Sequence, residues 1–422
     1  PLAAYRWIVL LFLSLAMAGN YYIYDSIAPV ADLLSSQLGY TDTQIGWLYS
    51  IYSVSAITTL LIGGILIDRL GVKVAGLTFA LLCPAGAVIN VSSGAYAAML
   101  AGRRVLGLGA ESLIVAVTTA LAKWFKGKEL GLAFGLNLLV ARLASVAADN
   151  SPTWAQPLYE TWRGPLAIAV LAGVIGVVGA AVYWVLEARA DRSYTLGAAG
   201  EADKLVVADL FKFTRSYWFI VGLCLVFYSA VFPFRTFAIK FFMEGHGATR
   251  ELGGFLNSVL PLSAMVATPI FGFIVDRVGR RSLFMLTGSL LLVPAFVLLV
   301  PGLGLAPSLH VPIALLGIAF SLIPAVMWPS VTYVVEGNRL GTAYALMTLI
   351  QQVGILAMNW GIGVANDTAG ASAANPAGYA PGMWIFSMLG FAGVVFALLL
   401  RRAETGPGAH GLETITVGHP KA

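Results

Sequence analysis

Twelve apolar runs follow one another from one end of this chain to the other. They cover about 7–33, 43–67, 75–93, 96–122, 130–149 and 164–187, then 217–243, 252–275, 282–301, 311–335, 342–366 and 383–400. A helix rises 1.5 Å per residue, so about 20 residues cross a hydrocarbon core about 30 Å thick. Inside lipid each backbone amide must be satisfied within the chain, and runs of this length do so as helices, not as barrel strands. The expectation is therefore an all-α membrane protein with twelve transmembrane helices. Charge agrees. Only 11% of the 422 residues are charged, against about a quarter in soluble domains, which excludes a soluble fold.

The basic residues set the orientation. Of the 25 Lys and Arg, eighteen fall in the loops and tails of one side, and only Arg163 and Arg250 on the other. Arg103, Arg104, Arg142, Arg235 and Lys240 lie within spans. Positive loops stay inside, so both termini are expected to be cytoplasmic. The net charge of +5 thus reads as membrane topology and not as nucleic-acid binding. A polar connection at 188–216 divides a first bundle, 1–187, from a second, 217–400, and 401–422 forms a cytoplasmic tail. No cleavable signal is visible ahead of the first run. Cys83 and Cys224 lie in spans, and the four histidines fall in loops or the tail. Neither a metal cluster, a cofactor site nor a nucleophile motif is indicated, so the chain reads as a non-enzyme and a monomer in the bilayer.

Internal repetition supports the division. "GILIDRLGVK" at 64–73 recurs as "GFIVDRVGRR" at 272–281, an offset of 208, and "LGLAFGL" at 130–136 recurs as "LGTAYAL" at 340–346, an offset of 210. Gly64, Asp68, Arg69 and Gly71 match Gly272, Asp276, Arg277 and Gly279, while Lys73 becomes Arg281. Two matches at nearly one offset point to duplicated six-helix halves. The G-x-x-x-D-R-x-G-x-[KR] pattern between a second and a third span resembles the cytoplasmic-loop signature of the major facilitator superfamily, and the likeness runs the length of the chain. It implies two pseudo-symmetric halves working by alternating access. It further implies that these residues, Gly272 apart, form a conformational latch, each loop acid receiving the amides at a helix start of the opposite half, near Gly131 or Gly341. Plain anchoring is the alternative for the charges, although anchoring alone predicts no acid.

Glu111 and Arg142 are the charges that ask most of the fold. Glu111 lies 12 residues before Lys123 and Arg142 lies 13 after Glu129. Both therefore sit about 18–20 Å above one cytoplasmic hairpin. Each costs about 2.5–3.5 kcal/mol at that depth, so neither is expected to face lipid. An ion pair that only holds two helices together is one reading, but an apolar pair would hold them as well. The other reading is a site for a solute carrying both charges, with Glu111 for a cationic group and Arg142 for a carboxylate. Asp25 and Tyr24, in "NYYIYDSIAP" at 20–29, are further candidates. So are Arg235 beside the helix-loosening Pro233, and Lys240, which alternatively snorkels to the interface. Asn257, Trp328, Gln351 and Gln352 offer polar or aromatic surface in the second half. Arg103 with Gly107 resembles the superfamily's fourth-helix R-x-x-x-G pattern, a structural or coupling element.

"GAESLIVAV", "KWFKGKELGLAFGLNLLVARLAS", "SAVFPF" and "RLGTAYALMTLIQQVG" look like the lysosomal dipeptide transporter branch of that superfamily. This resemblance implies a dipeptide uniporter in which the fourth-helix acid, here Glu111, meets the peptide amine and the fifth-helix Arg142 its carboxylate. It extends more weakly to Asp25, Tyr24, Lys240 and Gln351. Short loops rich in Ala and Gly read as those of a bacterial plasma-membrane carrier. The alternative function is a proton-coupled symporter of monocarboxylates, sugar acids or other organic anions, with Asp25 and Glu111 carrying the proton.

Overall fold

The computed structural model describes residues 3–125, 129–193 and 212–416, with backbone alone at 3, 61, 63, 64, 68 and 193. The chain divides into two compact units, Pro1–Ala202 and Asp203–Ala422. In unit 1 the helices are α1 (Ala3–Asp25), α2 (Ala31–Leu38), α3 (Asp42–Leu70), α4 (Val72–Ser92), α5 (Tyr96–Phe125), α6 (Leu130–Asp149), the single-turn α7 (Ser151–Trp154) and α8 (Arg163–Ser193). Unit 2 holds α9 (Arg215–His246), α10 (Arg250–Val278), α11 (Arg281–Leu298), α12 (His310–Val334), α13 (Leu340–Thr368) and α14 (Ala380–Glu404). Among the described residues eleven helical segments are long and apolar enough to cross a membrane. The 29-residue α3 is a twelfth helix of spanning length.

Each unit repeats the other's packing. Counting the long helices in order, the first packs on the fifth and sixth, the second on the fourth, and the third on the fourth and sixth. In unit 1 these are α1 with α6 and α8, α3 with α5, and α4 with α5 and α8. In unit 2 they are α9 with α13 and α14, α10 with α12, and α11 with α12 and α14. The repeat reaches single residues. Thr41 caps α3, its Oγ1 accepting from the Gln44 amide at 3.2 Å, and Thr249 caps α10 by accepting from the Leu252 amide at 3.2 Å. The two caps are 208 residues apart, the offset of the loop signatures. Such a cap is worth about 1 kcal/mol and sets where a helix starts.

Both signature loops turn on a glycine. Gly71 (φ 76°, ψ 152°) is the whole link between α3 and α4, and Gly279 (φ 70°, ψ −133°) opens the link between α10 and α11. A side chain is not tolerated in that part of backbone space. A close approach requires glycine once more, at Gly107 of α5. A Cβ there would stand 2.7 Å from the Ser55 Cβ and 3.0 Å from the Tyr52 carbonyl, both on α3. Its absence lets α5 lie against α3.

The first apolar run is not one helix. α1 ends at Asp25, a 3-10 turn spans Ala28–Val30, and α2 restarts at Ala31. Asp25 is thus the last residue of α1. Pro29 has no amide to donate. The carbonyls of Ile23 and Tyr24 accept from the Arg103 guanidinium, at 3.3 and 3.2 Å, and the Ala28 amide turns to the Tyr49 hydroxyl at 3.1 Å.

The tail is also built into unit 2. α14 runs to Glu404, past the expected end at 400, because the Glu404 carboxylate is held from three sides. The Ser216 hydroxyl donates to it at 2.5 Å, the His410 amide at 2.9 Å, and the His410 ring sits at 2.8 Å. Residues 412–415 then cross the α10–α11 loop. Buried Arg281 donates to the carbonyls of Leu412 (3.1 Å) and Ile415 (2.7 Å) and to the Tyr333 hydroxyl (2.8 Å). Glu413 receives the Arg280 amide on its carbonyl and the Ser282 amide on its carboxylate.

Two outcomes follow for the fold. Gly107→Val should cost about 1–3 kcal/mol by overpacking and lower the melting temperature in detergent, while Gly361→Ala, which meets open space, should leave it unchanged. Arg281→Ala removes two charge-assisted carbonyl bonds worth about 1.5–3 kcal/mol each. Cleavage after Glu413 by a glutamyl endopeptidase should then quicken at least about tenfold; equal cleavage in both proteins would show that the strap is not held by this residue.

Candidate functional site

Three charged side chains of unit 1 lie within electrostatic reach of one tyrosine, Tyr21. Glu111 is the sixteenth of the 30 residues of α5, and Arg142 the thirteenth of the 20 in α6. α6 lies on α1 through a stripe of Ala133, Asn137, Ala141, Ser145 and Ala148, all buried at steps of four or three. The Asn137 amide donates to the Ser14 hydroxyl of α1 at 3.2 Å. Arg142 follows this stripe by one position, so its side chain leans over α1, with the guanidinium carbon 5.9 Å from the centre of the Tyr21 ring. Leu139 and Leu143 beside it stay exposed and apolar. Tyr21 is also within electrostatic reach of Glu111 and Asp25, as well as of Arg142.

Glu111 is held by a hydroxyl. Tyr52 of α3 donates to its Oε1 at 2.7 Å. Tyr52 in turn packs edge-on against Tyr24, with ring centres 4.6 Å apart, and Tyr24 packs against Tyr49 at 5.4 Å. Over these rings lies Arg103, fully enclosed, with its guanidinium carbon 5.3, 4.7 and 5.8 Å from Tyr24, Tyr49 and Tyr52. A full positive charge is thereby solvated by ring faces and helix-end carbonyls. Glu111 and Arg142 both keep partial exposure within unit 1, as groups that meet a solute must. Asp25 is buried. The arrangement offers an anion and a cation at mid-helix on successive spans, separated by phenols able to donate or accept.

The structure thus brings together Glu111, Arg142, Asp25 and Tyr24. Tyr21, Tyr49 and Tyr52 were not among the expected site residues. The signal for the α3 pair was present as "YSIY" at 49–52, two tyrosines one turn apart facing the same way, but it reads equally as ordinary apolar filling.

In unit 2 the candidates are placed on four helices. Arg235 and Lys240 are buried on α9, Asn257 is buried on α10, and Gln351 and Gln352 are partly exposed on α13. Gln352 lies 210 residues after Arg142, at the repeat offset, so it is the counterpart of that cation. Trp328 of α12 donates through Nε1 to the Tyr228 hydroxyl at 2.9 Å and stacks on Tyr344, whose hydroxyl donates to the Trp328 carbonyl at 3.1 Å. Lys240 does not snorkel. Its ammonium lies inside unit 2, 3.9 Å from Glu244 one turn on, and Glu244 also receives the Tyr379 hydroxyl. Glu244 was another residue the sequence did not single out.

The two signature loops are used differently. The side chain of Asp68 lies outside what is described, and Gly64 is described by its backbone alone. Arg69 is exposed in the last turn of α3. Lys73 pairs with Asp191 of α8 at 2.6 Å, beside Lys123, which pairs with the buried Glu187 at 2.7 Å. In unit 2, Gly272 meets open space, Asp276 lies 3.4 Å from Arg281, and Arg277 rests on the Phe273 ring at 4.2 Å. Arg281, the counterpart of Lys73, is committed to the tail as described above.

Comparison with known proteins fits this architecture. The Major Facilitator Superfamily profile matches residues 10–359 and 236–415. Proteins named lysosomal dipeptide transporter MFSD1 are similar along most of the chain. The zebrafish (Danio rerio) protein is 32% identical over 382 residues, 87% of this chain and 82% of that protein. The human (Homo sapiens) one is 32% identical over 385 residues, 87% of this chain and 81% of its own length. A hexuronate transporter of Escherichia coli K12 is 22% identical over 158 residues, covering 37% of this chain and 36% of that one. Among solved structures, the nucleoside transporter NupG superposes with a TM-score of 0.73 at 13% identity, covering 93% of this chain and 98% of that one. A bacterial homologue of the human lysosomal transporter Spinster, inward-facing and occupied, gives 0.71 at 15%, covering 95% and 98%. At those identities the structures speak for the fold alone. The chain is a multi-pass membrane transporter, not an enzyme, and it belongs to the major facilitator superfamily.

Proposed function

We propose that this chain carries dipeptides across its membrane by alternating access, with Glu111 receiving the peptide amine and Arg142 its carboxylate. One observation carries the reading: an acid and a guanidinium at mid-helix on successive spans lie around the same tyrosine, Tyr21. A zwitterion presents opposite charges a few ångströms apart and satisfies both groups while adding no net charge. Arg142 supplies a planar two-donor face to the carboxylate. Occupied and empty carrier then differ in how much charge must be desolvated as the protein changes conformation, and that difference favours the change when the solute is bound. No proton is required. The relatives named lysosomal dipeptide transporters, which this chain matches over 82% and 81% of their length, support the same substrate class. Tyr24 and Asp25 line the amine side in this reading, while Arg235, Lys240, Asn257, Trp328, Gln351 and Gln352 belong to the second half of the substrate path. The Lys and Arg distribution favours cytoplasmic termini. The named relatives are lysosomal, so the plasma-membrane assignment rests on loop composition alone.

A second reading has one observation behind it, the partial likeness to a hexuronate transporter. There Arg142 holds the carboxylate of an organic anion, and Glu111 with Asp25 carries a proton. Two substitutions test the site, and the second of them separates the readings. Arg142→Ala should abolish the thermal stabilisation given by any carboxylate-bearing solute while leaving a folded protein; stabilisation by a dipeptide panel that survives the change would remove Arg142 from the site. Glu111→Gln should lower dipeptide affinity at least about tenfold, the worth of one charge-assisted contact, and should spare simple monocarboxylates. Counterflow of labelled dipeptide and labelled monocarboxylate in proteoliposomes measures both.

A further inference from the structure

Arg103 is the most completely enclosed cation of unit 1, and it has no carboxylate partner among the described residues. Its bonds go elsewhere. Nε donates to the Leu48 carbonyl of α3 at 3.1 Å, and Nη1 donates to the Ile23 and Tyr24 carbonyls at the end of α1. Nη2 is buried and finds no acceptor. The remaining stabilisation comes from the faces of Tyr24, Tyr49 and Tyr52. A cation placed only to join three helices would be poorly chosen, because apolar packing joins them at lower desolvation cost. What a guanidinium does and an apolar group does not is fix ring planes from one side while ending a helix on the other. One of those rings, Tyr52, carries the hydroxyl that lies on Glu111.

We infer that Arg103 is a positioning residue: by ending α1 and clamping the three tyrosines it aims the Tyr52 hydroxyl at Glu111. The chain of contact is short. Arg103 is eight residues, about 12 Å, outward of Glu111 on the same helix, and Tyr52 spans from one to the other. Gly107, midway between them, has no side chain to hold α3 and its tyrosines off α5. Tyr24 completes the clamp, since its carbonyl is bound by Arg103 while its ring packs on both Tyr49 and Tyr52. With lysine in place of arginine, charge remains, but one ammonium cannot bond three carbonyls in a plane and lie flat on the rings. Tyr52 then loses its support and Glu111 loses its donor.

The consequence for transport rests on the proposed role of Glu111 in meeting the peptide amine, so the test has an arm that needs no substrate. Carbodiimides attack protonated carboxyls in apolar surroundings, and loss of a hydroxyl donor favours that protonated form. In membranes at fixed pH, mass spectrometry should show Glu111 labelled several-fold faster in Tyr52→Phe than in the parent, about the tenfold expected for one charge-assisted bond. Arg103→Lys should give the same increase, and the double variant no more than either alone. Unchanged labelling in Arg103→Lys, or additive effects in the double variant, would overturn the inference and leave Arg103 as a helix clamp. If Arg103→Lys does not fold, Tyr49→Leu, which thins the ring cage but keeps the guanidinium's carbonyl bonds, carries the test with the same two outcomes. In proteoliposomes, Arg103→Lys should raise KM for alanyl-leucine about tenfold and leave that of its N-acetyl derivative unchanged; an equal loss for both peptides would count against positioning. If neither peptide is transported by the parent protein, the dipeptide reading falls, and the labelling result still decides the role of Arg103.

Discussion

A full charge halfway along a membrane helix must be solvated by protein, because lipid cannot do it. Unit 1 meets this demand with phenols. Tyr52 bonds Glu111, the Arg142 guanidinium lies near the Tyr21 ring, and three tyrosines surround Arg103. A tyrosine suits the task because its ring is at home among apolar neighbours while its hydroxyl reaches a charge.

That solution depends on helices arriving at the right distances, and the duplicated packing supplies them. The same five helix pairings appear in both units, with threonine caps and glycine turns repeated at one offset. A plan used twice need not carry the same chemistry twice. The position of Arg142 in unit 1 is held by Gln352 in unit 2, and the loop cation Lys73, which pairs with Asp191, becomes an Arg281 held by the tail. Guanidinium geometry explains the second difference. Lysine meets one carboxylate as a point charge, whereas arginine donates to two tail carbonyls and a tyrosine hydroxyl at once.

Much of this was legible beforehand. The spans, their duplication and the depth of Glu111 and Arg142 follow from periodic features: length of apolar runs, spacing of basic loops and a repeated decapeptide. Lipid makes these features decisive, since a misplaced charge or an unpaired amide is costly there. The break after Asp25 was less visible. Pro29 lies inside an unbroken apolar run, and what ends α1 there is a guanidinium from 79 residues further on. Lys240 stayed open between two readings for the same kind of reason. Near a helix end its long side chain has water within reach, and only the placement of Glu244 and Tyr379 draws it inward.

Sequence by itself determined that this chain is a twice-repeated bundle of membrane helices with an acid and a base near the middle of successive spans, because hydrophobic length and charge cost are local properties of a segment. Tertiary structure alone decided which groups keep those charges company. A hydroxyl's direction depends on how helices cross, and tyrosine, serine and backbone carbonyl look alike in a string of letters until the crossing aims them. For that reason Tyr52 on Glu111, Arg103 over its rings and the tail across Arg281 emerge only when segments distant in the chain are packed together.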